Sequence, residues 1–268
     1  MANVYFDLTR EFNRDGPTVF LASGQAVVYY RIAIMSKDGD WVIREHPDAC
    51  ARVLAVLARH GARHRPAPPL DGRWLAGGWS SHFEFLDDRQ RRVRCDFVSR
   101  PPRVRADEVD GMFQRAAAGT SLLVVDPDIL ARMKQTQRAK DYPAIAEIAG
   151  LLPPGRQLLY TTDPDRILAL APAAGEGIDR PSVRAARAGA GRDRVVVELA
   201  REIDACRRRD ARRVDAYVAA SERYLEAFRR MRIDELPLDR AHEEACALAE
   251  RWLPTIPPEP ERIDADVE

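Results

Sequence analysis

Asp38, Gly39 and Asp40 set two carboxylates two residues apart at the head of an apolar run, Trp41-Val42-Ile43. Side chains alternate across a strand at about 3.3 Å per residue, so the two aspartates would share a face with roughly 7 Å between their Cα atoms. With no Lys or Arg between them they repel one another unless a cation intervenes, and hard divalent ions such as Mg²⁺ prefer carboxylate oxygen and water. Asp-Gly-Asp by itself is common in polar turns. A third carboxylate, Asp96, stands in Val93-Arg94-Cys95-Asp96-Phe97-Val98, where it shares a strand phase with Arg94 and Val98. An unpaired carboxylate among apolar residues is costly, so Asp96 either meets a cation or forms an ion pair with Arg94 or Arg100.

The elements that must position these groups are legible around them. Residues 20–44 read as a strand end, a tight Ser23-Gly24 turn, a short helix and a strand opening at Asp38. A lead-in helix or irregular segment over 1–14 precedes them, with a turn at Asp15-Gly16-Pro17. Apolar spacing predicts a helix over 47–60, stopped by Gly61, and then a Pro-rich connection over 65–70. Strands over 81–86 and 92–99 flank the polar Asp87-Asp88-Arg89-Gln90 as a hairpin would. A helix over 107–118 and a strand over 121–125 follow. Asp126-Pro127-Asp128 then opens a helix reading I-L-A-R-M-K-Q-T-Q-R-A-K-D-Y, whose spacing puts Lys134, Arg138 and Asp141 on one side at i, i+4 and i+7.

The segment carrying Ser23-Gly24-Gln25-Ala26 and Ser36-Lys37-Asp38-Gly39-Asp40 resembles the nucleotidyltransferase superfamily of the polymerase-beta type, and within it the small toxin-type and abortive-infection-type members. Leu130, Lys134, Arg138, Lys140 and Asp141 are similar to a further element of the same proteins. The resemblance implies an α+β fold, a nucleotidyltransferase-like mixed β-sheet flanked by helices and followed by a C-terminal helical region. It implies that Asp38, Asp40 and Asp96 are the catalytic, metal-binding carboxylates, holding two Mg²⁺ or Mn²⁺ ions. Ser23 and Gly24 would meet the phosphates at a helix N-terminus, Lys134 and Arg138 would hold the triphosphate, and Asp141 would orient one of these cations or the substrate. The donor would be a nucleoside triphosphate such as ATP, and the acceptor an RNA or tRNA, a protein hydroxyl or a small molecule.

Composition bounds the rest. Lys and Arg number 42 against 42 Asp and Glu, so no global polyanion-binding excess exists, and 46% hydrophobic residues over 268 positions support a packed core. Lysine occurs only at 37, 134 and 140. Cys50, Cys95, Cys206 and Cys246 lack metal or disulfide spacing and read as free thiols, which together with the absence of a long apolar run predicts a cytoplasmic protein with no membrane segment. His46, His60, His64 and His82 match no metal motif and read as loop and core residues.

The expected organisation is a nucleotidyltransferase-like domain over 1–150, a mainly helical region over 151–256 and a disordered acidic tail over 257–268. Within the helical region, 163–168 reads as a capped helix, 171–191 as a linker and 194–253 as helices with apolar stripes. The arginines at 207–209, 212 and 213, interspersed with acids, read as a solvated face. A second function class is a catalytically weak binding protein that keeps the fold and engages a partner, for instance an antitoxin. Ile34, where the family carries Arg, and Gly39, where a larger apolar residue is usual, favour it.

Overall fold

Alternation of apolar and polar residues builds a half-buried sheet. The computed structural model describes residues 3–117, 119–175 and 177–258. Contacts divide the chain into two compact units, Met1–Val125 with Asp215–Glu268, and Asp126–Val214.

The first unit begins with α1 (Val4–Phe12), capped by the Asn3 side chain, then β1 (Val19–Ala22), α2 (Ser23–Tyr29) and β2 (Gly39–Ile43). Next come α3 (Pro47–Arg59), β3 (Arg63–His64), α4 (Gly72–Ala76), β4 (Ser81–Leu86), β5 (Arg92–Val98) and α5 (Ala106–Arg115). Pro47 starts α3 where its missing N–H costs nothing, and Gly61 takes a φ of 64° just beyond the helix end. The strands lie in the order β1-β2-β5-β4-β3. β2 and β5 are parallel and every other pair is antiparallel. The structure is therefore a mixed α and β fold with a five-stranded mixed sheet.

One face of the sheet is mainly apolar. Trp41, Ile43, Cys95, Phe97 and Phe83 point to it and pack on Leu8 and Phe12 of α1 and Val53 and Leu57 of α3. Trp41 stacks on Phe97 with centroids 5.3 Å apart, and Phe12 meets both rings edge-on. The alternate residues form the second face. There Phe20 of β1 packs against Phe113 of α5, while Asp40, His82, Glu84, Arg94 and Asp96 are only half-buried.

The second unit is helical: α6 (Pro127–Met133), α7 (Tyr142–Gly150), α8 (Pro154–Tyr160), α9 (Pro164–Leu170), α10 (Pro181–Arg187) and the first part of α11 (Arg192–Arg230). Five of these helices carry Pro in the first turn, and Asp126 and Asp163 cap two of them with side-chain oxygens. Leu158, Ile167, Val183, Val195 and Leu199 form its core. The later part of α11 and α12 (Leu238–Trp252) belong to the first unit, where Tyr224, Phe228 and Ala245 pack on Trp74 and Trp79.

Several expectations need correction. Residues 121–125 do not form a strand. They make one parallel bridge, Leu21 to Val124, because β1 turns into α2 at Ser23 and leaves no further backbone to pair with. Residues 171–191 hold α10 rather than an open linker. The two-residue β3 and the short α4, neither of them expected, flank the Pro-rich connection over 65–70. The compact units divide at 126 and 215, not at 151, because α11 carries the chain back to the first unit. Of the tail expected over 257–268, residues 259–268 lie outside the described residues.

Candidate functional site

The approach to the first carboxylate is fixed by three contacts. Directly after β1, Ser23 takes a left-handed φ of 47°, unusual for a residue with a Cβ and a mark of a chain forced to turn sharply. Gly24 lies so close to Ser36 that a Cβ there would collide with the serine hydroxyl. The buried Gln25 donates through Nε2 to the Ser36 carbonyl at 2.9 Å and accepts from Asn3 at 3.1 Å. Tyr5 of α1 donates its hydroxyl to the Lys37 carbonyl at 2.6 Å; burial, with Cys95 and Asp38 nearby, pushes that phenol up to about 12. Residues 36 and 37, the two before Asp38, are thus held from both α1 and α2.

Gly39 faces the apolar side, where a Cβ would run into the rings of Tyr5 and Trp41. Asp38 and Asp40 consequently lie on the other side. Parallel pairing of β2 with β5 sets Asp40 opposite Asp96, one strand spacing of about 4.8 Å away. Antiparallel pairing of β5 with β4 sets His82 opposite Asp96 on the far side. One row across three strands therefore reads Asp40, Asp96, His82.

A basic side chain lies beside Asp38 and an imidazole beside Asp96. Arg94 Nη1 lies 3.4 Å from Asp38 Oδ1, the outer limit of a hydrogen bond, and both side chains remain partly exposed. His82 Nδ1 lies 3.1 Å from Asp96 Oδ1, and its Nε2 is 2.8 Å from the Ser80 hydroxyl. The Asp96 Oδ1 atom is shut from solvent, and the imidazole approaches it off the hydrogen-bonding direction, so this oxygen has no hydrogen-bond donor. Such an oxygen is costly to bury and suited to a positively charged partner.

The donor chemistry of Asp40 and Asp96 fits a hard divalent cation: two carboxylates in register on adjacent strands, one with an unsatisfied buried oxygen. The trio does not close. Among the described residues no group of three or more His, Cys, Asp or Glu side chains is arranged to hold a metal ion, and Asp38 is turned to Arg94 instead.

The expected cationic stripe is organised differently from a single helix face. α6 stops at Met133, and the chain passes through an irregular stretch and a 3₁₀ turn (Ala139–Asp141) before α7. The break follows from Asp141, which gathers Lys134 Nζ at 3.3 Å, Arg138 Nε at 2.9 Å and the Thr136 hydroxyl at 2.6 Å. Residues 136 and 141, five apart, would face away from one another on a continuous helix. Burial raises the Asp141 carboxyl, but Thr136, Lys134 and Arg138 together outweigh it and leave the group below the usual range. Lys134 is only 7% exposed, so its ammonium serves an internal ion pair. This cluster stands in the second unit and the carboxylate row in the first.

Sequence reasoning missed Ser80, His82 and Arg94. The signal for His82 was available: once Leu86 pairs with Arg92 at the hairpin, counting back along both strands sets His82 against Asp96. Arg94 was seen only as a structural partner for Asp96, whereas it reaches Asp38 across the strand boundary. No family model, curated protein or solved structure matches the chain.

Proposed function

We propose that the chain is a metal-dependent nucleotidyltransferase, transferring a nucleoside monophosphate from a nucleoside triphosphate to an acceptor hydroxyl. The observation that carries this reading is the register of Asp40 with Asp96 on adjacent parallel strands, with Asp38 two residues upstream on the same face. Asp40 and Asp96 would hold the cation, and Asp38 would join them when Arg94 leaves it. A divalent ion bound there would make an acceptor hydroxyl more acidic and neutralise charge on the departing pyrophosphate. The residues of this chain supply orientation: Gln25 and Tyr5 hold the backbone leading to Asp38, and His82 confines Asp96. Ser23 and Gly24 open α2, where Gly24 packs against Ser36; their part in holding a phosphate rests on the sequence resemblance. Lys134 and Arg138, which the resemblance would put on the triphosphate, are both engaged by Asp141 and are no part of this reading.

Incubation with α-labelled nucleoside triphosphates, Mg²⁺ and total RNA or protein is expected to show label transfer. The double variant Asp38→Asn, Asp40→Asn is expected to abolish transfer while leaving the thermal midpoint unchanged or raised, because it removes like-charge repulsion. Full activity in that variant would remove these residues from the site.

A second reading has its own observation. Arg94 already lies on Asp38 and His82 on Asp96, as they would in a fold that keeps the carboxylates as structural partners and acts by binding. An unchanged Asp38–Arg94 pair in the presence of excess Mn²⁺ would favour this reading.

A further inference from the structure

Beside Asp38 lies an open groove of about 690 Å³, within the range of small-ligand sites, which no step above uses. Its charged lining is Lys37, Arg91, Arg92 and Arg94 against Asp38 and Asp87, four cations to two carboxylates. Arg91 is committed to Asp87 at 2.6 Å. The other three cations are poorly satisfied. The Lys37 ammonium has no partner among the described residues, and Arg92 comes no nearer than 3.9 Å to Glu84. Arg94 touches Asp38 only at 3.4 Å, while its Nε is buried with no hydrogen-bond partner. The lining also includes the apolar Val4, Phe6 and Val28, with Ile34 at 98% and Met35 at 76% exposure. A groove lined by cations with spare donors and by exposed apolar side chains complements a small anion that carries an apolar or aromatic body.

We propose that this groove binds a phosphate monoester, its phosphate on Lys37, Arg92 and Arg94 and its body on Phe6, Ile34 and Met35, and that the phosphate draws Arg94 away from Asp38. A guanidinium meets a phosphate with two parallel hydrogen bonds and uses the Nε that is idle here, whereas its present contact is a single long one. Ligand in the groove would free Asp38 for a cation, so the two ligands would bind cooperatively, each tightening the other by the same factor. The binding claim stands on the groove; only the effect on Asp38 rests on the carboxylate site proposed above.

Adenosine 5′-monophosphate, adenosine and inorganic phosphate serve as probes in calorimetric titrations of the full chain, with Mn²⁺ affinity followed separately by the free-ion electron paramagnetic resonance signal. AMP is expected to bind, with adenosine weaker by about tenfold or more. Lys37→Glu and Arg92→Glu are each expected to weaken AMP by about tenfold, whereas Arg89→Glu, at the hairpin tip outside the groove, should leave it unchanged. AMP should tighten Mn²⁺ in the wild type, and Arg94→Gln should bind Mn²⁺ more tightly without AMP and gain nothing further from it. Equal binding of AMP and adenosine, or charge reversals without effect in variants with native circular dichroism, would overturn the groove. AMP binding that leaves Mn²⁺ affinity unmoved would overturn the Arg94 switch. If AMP binds and Mn²⁺ does not bind at all, the carboxylate site fails and the groove survives; Mn²⁺ binding without AMP binding gives the reverse.

Discussion

Asp96 shows how much of a site a single side chain can decide. Its Oδ1 is buried between a carboxylate neighbour and an imidazole, and the contact with His82 at 3.1 Å restrains the group without satisfying it. His82 is in turn held by Ser80, so the imidazole acts on Asp96 as a positioning residue. His82→Ala is expected to weaken Mn²⁺ binding by about 10- to 100-fold, the usual effect of losing a group that orients a ligand, with His82→Gln retaining part of it. A titration of Mn²⁺ against both variants checks this, and equal affinity in the alanine variant would show that Asp96 needs no such support. The strand positions of Asp40 and Asp96 were legible from sequence because strand alternation and an apolar background are strong local signals. Arg94 and His82 were not given their roles, because ion pairing depends on which strands become neighbours.

At the scale of elements, the turn from β1 to α2 and the start of β2 are set by two glycines with different jobs. Gly24 permits close approach to Ser36, and Gly39 leaves room for Tyr5 and Trp41. The volume that a larger residue would occupy at 39 is thus filled by two aromatic rings brought from α1 and from β2 itself. Gly39→Ala is expected to cost about 1–3 kcal/mol through overpacking, read as a lower denaturation midpoint, and Tyr5→Ala in the same chain should recover part of it. An alanine variant as stable as wild type would mean that the rings can shift freely. Strands β4 and β5 and helices α3 and α9 were readable because caps, turns and alternation agree locally. The helix expected through Lys134 to Asp141 was not, because Asp141 also takes the Thr136 hydroxyl, which a straight helix would point away from it.

Across the whole molecule, the histidines set a pH dependence. His64 is fully buried between Phe83 and Phe228, its Nδ1 donating to the Arg65 carbonyl and its Nε2 unpartnered. Burial, aided by His242 and His82, lowers it from 6.5 to about 4, and burial lowers His242 as well. A depressed histidine binds fewer protons in the folded than in the unfolded chain, so stability is complete above about pH 6.5 and falls as pH drops toward 4, by on the order of 3 kcal/mol for His64. Urea midpoints at pH 7 and pH 4.5 should show this loss, and His64→Phe should flatten it. A midpoint independent of pH over that range would contradict the assignment. No helix among the described residues is long and apolar enough to cross a membrane. The division into units escaped the sequence because α11 is one uninterrupted helix of 39 residues, and nothing local marks where its packing partners change.

The central claim is that Asp40 and Asp96 share a divalent cation, and crystals soaked in Mn²⁺ with a non-hydrolysable nucleoside triphosphate test it most directly. The account predicts an anomalous peak bonded to both carboxylates, with Arg94 moved off Asp38. Density for the nucleotide without such a peak, or a peak bonded to neither aspartate, would contradict it.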